Sequence, residues 1–415
     1  MTCLENGFYG EGVYLNTAQY WLIFMKTKKT VVMLLYAYLY NDWRVLKEAK
    51  SLVTNNYNVT ILCLLFQDES YDNYKNSYGI EVIPILKISY EKRKSFKGLM
   101  LFWYYCIKQM SIMTDIDVIH SHDLPGLIPG VFYKYMRRGM YLIFDSHEMF
   151  ADAIYGLYGR YIYSIVQIVE NVCIYNSDVY IGVVKSQIEL TKKRIRNHNH
   201  INFYYIPNYP ELSGIMKSNI NHQKNNVFKI AYMGSMVKGR FYNELIDAIK
   251  LLVNNNHSIK LYIIGTGEMY NPIIKKIKRE KLLKYVTMTG YLNQNEARRV
   301  ASFSDVGIIL VKESRNTVYL MPNKFFEYLQ LGLGIISVHA NGIGKYLDFV
   351  DAEITHRPVN ANRIADSILA VMNDEDRRQR MIKKGQTMIN QNWNWTTCEK
   401  TLIIAYNKLL YSSNH

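Results

Sequence analysis

The sequence has no Cys-x-x-Cys pair. Its five cysteines, Cys3, Cys63, Cys106, Cys173 and Cys398, are odd in number and far apart, which argues against a disulfide framework or thiolate zinc site and suits a reducing cytosol. No apolar run reaches the ~18–20 residues that cross a bilayer. The nearest, residues 98–113, is broken by Lys108 and preceded by Lys97, and reads as a buried or interfacial helix. Proline and glycine are modest, at 8 and 23 in 415 residues, and no low-complexity tract or fixed-period repeat is visible, so fibrous, disordered and solenoid chains are set aside. The first residues have no signal- or transit-peptide pattern, because Glu5 and Glu11 come early and no small-residue cleavage site follows an apolar stretch. Met25-Lys26-Thr27-Lys28-Lys29-Thr30 instead runs straight into an apolar strand. Met25 is therefore the expected initiator, and residues 1–24 an extension with no role in the fold.

What is abundant is positive charge. Fifty Lys and Arg against 35 Asp and Glu give a net +15, which favours anionic partners such as phosphates or lipid headgroups. The basic residues are scattered, as compositional drift would also leave them. No finger, basic zipper or aromatic-glycine RNA motif accompanies them, so nucleic acid is not an expected partner.

Short apolar runs alternate with helical patterns, the signature of parallel βαβ units. Strands are expected near residues 31–36, 59–66, 82–85, 117–120, 141–144 and 179–184, with helices at 44–54 and 126–136. Around residues 207–226 the pattern dissolves into Pro, Asn, Ser and Lys, a linker composition. It then restarts, with strands near 228–233, 260–264, 286–289, 306–310 and 334–338. The reading is an α/β chain of two doubly wound, Rossmann-like domains facing across an interdomain cleft. Residues 25–210 form the acceptor-side domain, 211–226 the linker and 227–385 the donor-binding domain; 386–415 form a closing helix packed back toward the first domain. In such sheets ligands sit at the carboxyl ends of the strands.

Four segments at those ends carry chemistry. Pro322-Asn323-Lys324-Phe325-Phe326-Glu327 reads as a helix start with Pro322 in its first turn and the amides of Asn323, Lys324 and Phe325 free to meet an anion. Lys324 adds a full charge, and Glu327, one turn in, would accept two ribose hydroxyls. Taken alone, the segment is equally a helix start with a dipole-complementing Glu. Met233-Gly234-Ser235-Met236-Val237-Lys238-Gly239-Arg240 follows a strand, and Gly234 lets backbone approach a ligand. Gly265-Thr266-Gly267-Glu268 also follows a strand, but Tyr270 stands where a dinucleotide fingerprint needs its third glycine. In the first half, His120, His122, His147 and Glu148 lie at the ends of two strands, where imidazoles can take an acceptor proton or bond the transferred sugar. No ligand spacing supports a metal there.

Together these segments resemble family 4 of the GT-B glycosyltransferases, in its "PNKxFEY" branch. Residues 314–347 look like that branch's donor region, and Asp42-Trp43-Arg44-Val45-Leu46-Lys47-Glu48-Ala49 looks like its "DPRVLKEA" element with Trp43 for Pro. Asp117-Val118-Ile119-His120-Ser121-His122-Asp123 and Asp145-Ser146-His147-Glu148 resemble its acceptor-side motifs, and Asn392-Trp393-Asn394-Trp395 the start of its closing helix. The resemblance implies a GT-B fold and retaining transfer from a nucleoside-diphosphate sugar to a glycan or lipid-linked acceptor, as in cell-surface polysaccharide synthesis. No cofactor or metal is implied beyond that donor. Glu327 would hold the ribose, Gly265 and Gly267 would lie beside the base, and a basic pair would neutralise the diphosphate. Arg240 is the first choice for that pair, since a guanidinium binds phosphate bidentately, with Lys238 in reserve. His122 would orient the acceptor or sugar. The family's earlier glutamate, eight positions before the later one, is Tyr319 here, which puts the sugar's identity in question.

The rival readings are an epimerase of the same architecture and a non-catalytic interaction protein. A cytoplasmic enzyme in peripheral contact with an anionic membrane is also expected. The aromatics of residues 96–105 and 155–163, with Arg160, would provide the contact surface, although the simpler reading packs them inside the first domain.

Overall fold

The structure is a computed structural model that describes residues 28–39, 42–65, 77–93, 95–195, 197–212, 227–315, 317–319, 321–340 and 342–411. The expected extension at 1–24 and most of the expected linker lie outside these residues. Two parallel sheets carry the fold. The first contains β1 (Thr30–Tyr38), β2 (Asn58–Leu65), β3 (Glu81–Lys87), β4 (Val118–His122), β5 (Tyr141–Ser146), β6 (Val179–Gly182) and β7 (Asn202–Tyr205), ordered 3-2-1-4-5-6-7. The second contains β8 (Phe228–Met233), β9 (Ile259–Ile264), β10 (Val286–Met288), β11 (Val306–Ile309), β12 (Gly334–Ser337) and β13 (Glu353–Ile354), ordered 10-9-8-11-12-13. Both orders reverse beside the first strand of their sheet, which opens a crevice at the carboxyl ends. The fold is GT-B.

The strands are near-continuous apolar runs because helices cover both faces; β4 and β6 are buried at every position. Two short edge strands, β7 and β13, were not foreseen. Asn202–Tyr205 is only half-buried along its length, and Glu353–Ile354 is two residues long, too short for a periodic signal.

The last described helix, Trp395–Tyr411, lies against the first sheet's domain. Trp395 donates its indole N–H to Ser51 Oγ at 2.9 Å, Tyr406 shares a hydrogen bond with His120 Nδ1 at 2.8 Å, and Tyr57 donates to Asn407 Oδ1 at 3.2 Å. Elsewhere between the domains, Tyr346 meets the hydroxyls of Tyr205 and Tyr209 at 2.6 and 2.8 Å. Arg315 lies over the rings of Tyr155 and Tyr163, 4.4 and 5.1 Å from their centroids.

Candidate active site

Helix Asn323–Gln330 starts the donor side, and its faces divide by helical period. Phe325, Phe326 and Leu329 are buried in the core. Lys324 and Tyr328, one turn apart, turn toward β8. The Tyr328 hydroxyl accepts the Met233 amide at 2.7 Å, and Gly307 leaves room for its ring, since a Cβ there would lie 2.1–2.5 Å from ring carbons. Anchored this way, Lys324 holds its ammonium 4.3 Å from the centre of the Tyr232 ring and beside Gly234, where a Cβ would stand 3.5 Å from Nζ. Burial lowers the Lys324 pKa, with the charge of Arg240 pushing the same way against Tyr232 and Glu327. Arg240 is half-buried, and its charge reaches Lys324. Gly234, Lys324 and Arg240 make one basic group at the β8 end.

Asn323 and Glu327, also one turn apart, face a cleft of about 730 Å³. Glu327 accepts from Gln294 Nε2 at 3.3 Å, and Arg298, Tyr319 and Pro322 complete that wall. Two details of the helix start differ from expectation. Pro322 occupies the capping position just outside the helix, and the Phe325 amide is bonded to the Pro322 carbonyl at 3.0 Å. The amides left for a ligand are those of Asn323 and Lys324.

The glycine loops also fall elsewhere than expected. Gly265 and Gly267 do not line the cleft. A Cβ on Gly265 would sit 2.2 Å from the Gly234 carbonyl oxygen, and one on Gly267 2.5 Å from that of Met236. Their positive φ, +138° and +152°, lets the two loops stack, so they shape the phosphate-side loop from behind. Lys238 is exposed, with its amide bonded to Glu268 Oε1 at 2.9 Å; like Gly234, Arg240 and Lys324, it is not among the residues lining the 730 Å³ cleft.

Across the cleft stand Asp42, Lys47, His147 and Glu148. His120 and His122 are not among them. They alternate on one face of the fully buried β4, their side chains have no exposure, and their rings stack at 4.6 Å. His122, expected at acceptor or sugar, is buried here and does not line the cleft; the imidazole that does is His147.

Behind His147 lies an ion network that the sequence reading missed. Arg44 bonds both oxygens of Asp145, through Nε at 2.7 Å and Nη2 at 2.8 Å, gives Nη1 to the Ile206 carbonyl at 2.8 Å, and comes within 3.0 Å of Glu48. Asp145 Oδ2 reaches His147 Nε2 at 3.1 Å and His122 Nδ1 at 3.4 Å. Burial alone would raise Asp145, but Arg44 first and His147 next hold it well below the usual carboxylate range. Glu48 is pushed well up, chiefly by burial. Burial also drives His120 far down and lowers His122. It works against His147 too, but Asp123 and Asp145 outweigh it and lift that imidazole to about 10. His147 is therefore held as a cation at the cleft, beside Lys47, and its amide is bonded to Asp123 Oδ1 at 3.0 Å. Among the described residues, Glu48, His120, His122 and Asp145 bring potential metal ligands within 4.8 Å of one another. Arg44 already sits on their carboxylates, so a second cation there would meet its charge.

The signal for this network was an Arg and a Glu four apart on a helix, Arg44 and Glu48, opposite a strand-end Asp. The helical spacing alone reads as an ordinary surface pair; only burial makes it a site.

With this geometry established, the comparisons are informative. Residues 216–388 match the family described as glycosyl transferases group 1. That stretch contains β8 to β13 and the Pro322–Glu327 helix start. Over 151 residues, 36% of the chain, the protein is 24% identical to the capsular polysaccharide biosynthesis glycosyltransferase CapM of Staphylococcus aureus, and the match spans 32% of that relative's length. The fold is similar to sucrose-phosphate synthase from Thermosynechococcus elongatus (TM-score 0.71, 14% identity, covering 93% of this chain and 100% of that one). It is also similar to HepE of Anabaena, solved with UDP and glucose (TM-score 0.65, 12% identity, covering 91% and 99%). The matched stretch thus includes the cleft wall that carries Asn323 and Glu327, and the network around Arg44 lies outside it.

Proposed function

We propose that the chain transfers a sugar from a nucleoside-diphosphate sugar to a glycan or lipid-linked acceptor, with retention, in cell-surface polysaccharide synthesis. The observation that carries this reading is the split face of helix Asn323–Gln330. One side presents Lys324 beside Gly234 and Arg240, the chemistry of a diphosphate site; the other presents Asn323 and Glu327 to the cleft, the chemistry of a ribose site. Charge developing on the departing diphosphate would be stabilised by the first group, the electrostatic effect expected to dominate. His147, protonated and held by Asp145, takes the role first expected of His122, donating to an acceptor or sugar oxygen. Glu148, exposed on the same rim, receives acceptor hydroxyls. The reaction uses no cofactor or metal beyond the donor. Because HepE was solved with UDP, uracil is the first base to try.

The test is a thermal-shift screen of nucleoside-diphosphate sugars, since a donor bound to the folded state raises its melting temperature, followed by turnover with and without glycan acceptors. Release of nucleoside diphosphate only when acceptor is present supports transfer. Conversion of the donor without acceptor would identify an epimerase instead, and no donor-induced shift would leave an interaction protein.

A further inference from the structure

The expectation that the first domain's aromatics pack inward holds for only part of each helix. Helix Phe96–Ile112 buries Gly98, Phe102, Cys106 and Met110 but leaves Phe96, Met100, Tyr104 and Ile112 exposed. Helix Asp123–Met136 leaves Phe132, Tyr135 and Met136 exposed. Segment Phe150–Tyr175 breaks at Gly159 (φ 73°); Tyr158 is exposed before the break, and Tyr161, Ile162, Ile165, Ile168, Val169, Val172 and Tyr175 form an exposed stripe at helical spacing beyond it. Tyr161 is 87% exposed and Ile168 63%. The three helices adjoin: Trp103 donates to the Pro125 carbonyl at 2.9 Å, and Tyr133 to that of Met110 at 2.7 Å. Single exposed apolar residues are ordinary, but contiguous faces on this scale mark interaction sites.

Charge says what meets this face. Lys97, Lys108, Arg137, Arg138 and Arg160 are exposed on and around the three helices. The helices' own carboxylates are withdrawn from it, although Asp115 is exposed just past Ile112. Asp123 and Asp152 lie in the first turns, at the cleft end, and Glu170 is buried against Arg194 at 2.7 Å. A second copy of this chain would bring those cations against each other. A bilayer bearing anionic lipid matches both the apolar stripe and its basic border.

We infer that the face built by helices Phe96–Ile112, Asp123–Met136 and Phe150–Tyr175 docks on an anionic membrane surface. Helix Phe150–Tyr175 begins immediately after Glu148 and Met149, which line the cleft, so docking sets the cleft mouth beside the lipid. The inference extends the proposed function by naming a lipid-borne acceptor, but the docking itself does not depend on transfer.

The experiment is co-sedimentation of the full chain with phosphatidylcholine vesicles, with and without phosphatidylglycerol, for wild type, Ile165→Glu/Ile168→Glu, Lys97→Gln/Arg160→Gln, and Ile404→Glu as an exposed apolar control elsewhere. Binding should require phosphatidylglycerol. It should fall on the order of tenfold in the stripe variant and severalfold in the charge variant, and stay unchanged in Ile404→Glu. Circular dichroism melts should match wild type, because every substituted side chain is exposed. Equal vesicle binding by wild type and the stripe variant would overturn the inference. So would a wild-type dimer that the stripe variant splits while neither binds vesicles. Either result leaves the donor-site reading standing, because donor thermal shift is read without lipid.

Discussion

Arg44 holds Asp145 by two parallel hydrogen bonds, 2.7 and 2.8 Å long, with both side chains almost wholly withdrawn from solvent. This pair fixes the carboxylate that in turn fixes His147. The charge of His147 is thus set by a pair buried at the floor of the cleft.

Replacing Arg44 with Met should destabilise the protein by about 3–5 kcal/mol, the usual consequence of leaving a buried charge without its partner. Arg44→Lys should recover only part of that, since one ammonium cannot span both Asp145 oxygens and the Ile206 carbonyl. Urea unfolding followed by circular dichroism measures both.

The raised pKa of His147 links stability to pH. Its folded value of about 10 lies above the ordinary value of about 6.5, so its contribution is complete below the ordinary value. That contribution erodes as pH rises and is gone once pH passes the folded value. Melting temperatures measured from pH 6 to pH 10.5 should therefore fall more steeply for wild type than for His147→Gln. Parallel curves would remove His147 from the network.

On the donor side, Glu327→Ala should weaken donor binding on the order of tenfold by removing a charged acceptor, and Glu327→Ala with Arg240→Ala should abolish turnover. The melting temperature without donor should barely change, because neither side chain belongs to the core. Near-normal activity in the double variant would displace the site assignment.

Gly307→Ala tests how the helix start is held. The added methyl would meet the Tyr328 ring, whose hydroxyl is tied to the Met233 amide, so the helix must shift. A stability loss of about 1–3 kcal/mol should be accompanied by weaker donor binding, since Lys324 rides on the same face. Tyr328→Phe should cost about 1 kcal/mol and leave donor binding nearly intact. Thermal melts with and without donor distinguish the two variants.

The two-sheet architecture was legible because buried parallel strands announce themselves as apolar runs between helical periods; Phe228–Met233 came out as expected to the residue. The donor helix start was legible for the same local reason, a proline before an amphipathic turn. What stayed hidden was direction. A motif such as His120-Ser121-His122 says that imidazoles stand near a strand end, but whether they face ligand or core depends on which helix covers that face. Here helices Trp43–Thr54 and Trp395–Tyr411 do, the latter some 280 residues later in sequence. The packing of Gly265 and Gly267 was hidden similarly: their freedom serves a contact with Gly234 and Met236 that no local pattern encodes.

The closing helix Trp395–Tyr411 begins with the Trp395 amide bonded to the Pro210 carbonyl at 2.8 Å, so the outgoing and returning chains are laced together where they pass between the domains. The chain therefore leaves the first domain at Pro210 and returns to it at Trp395 side by side, and the walls that carry His147 and Glu327 are tied from one edge.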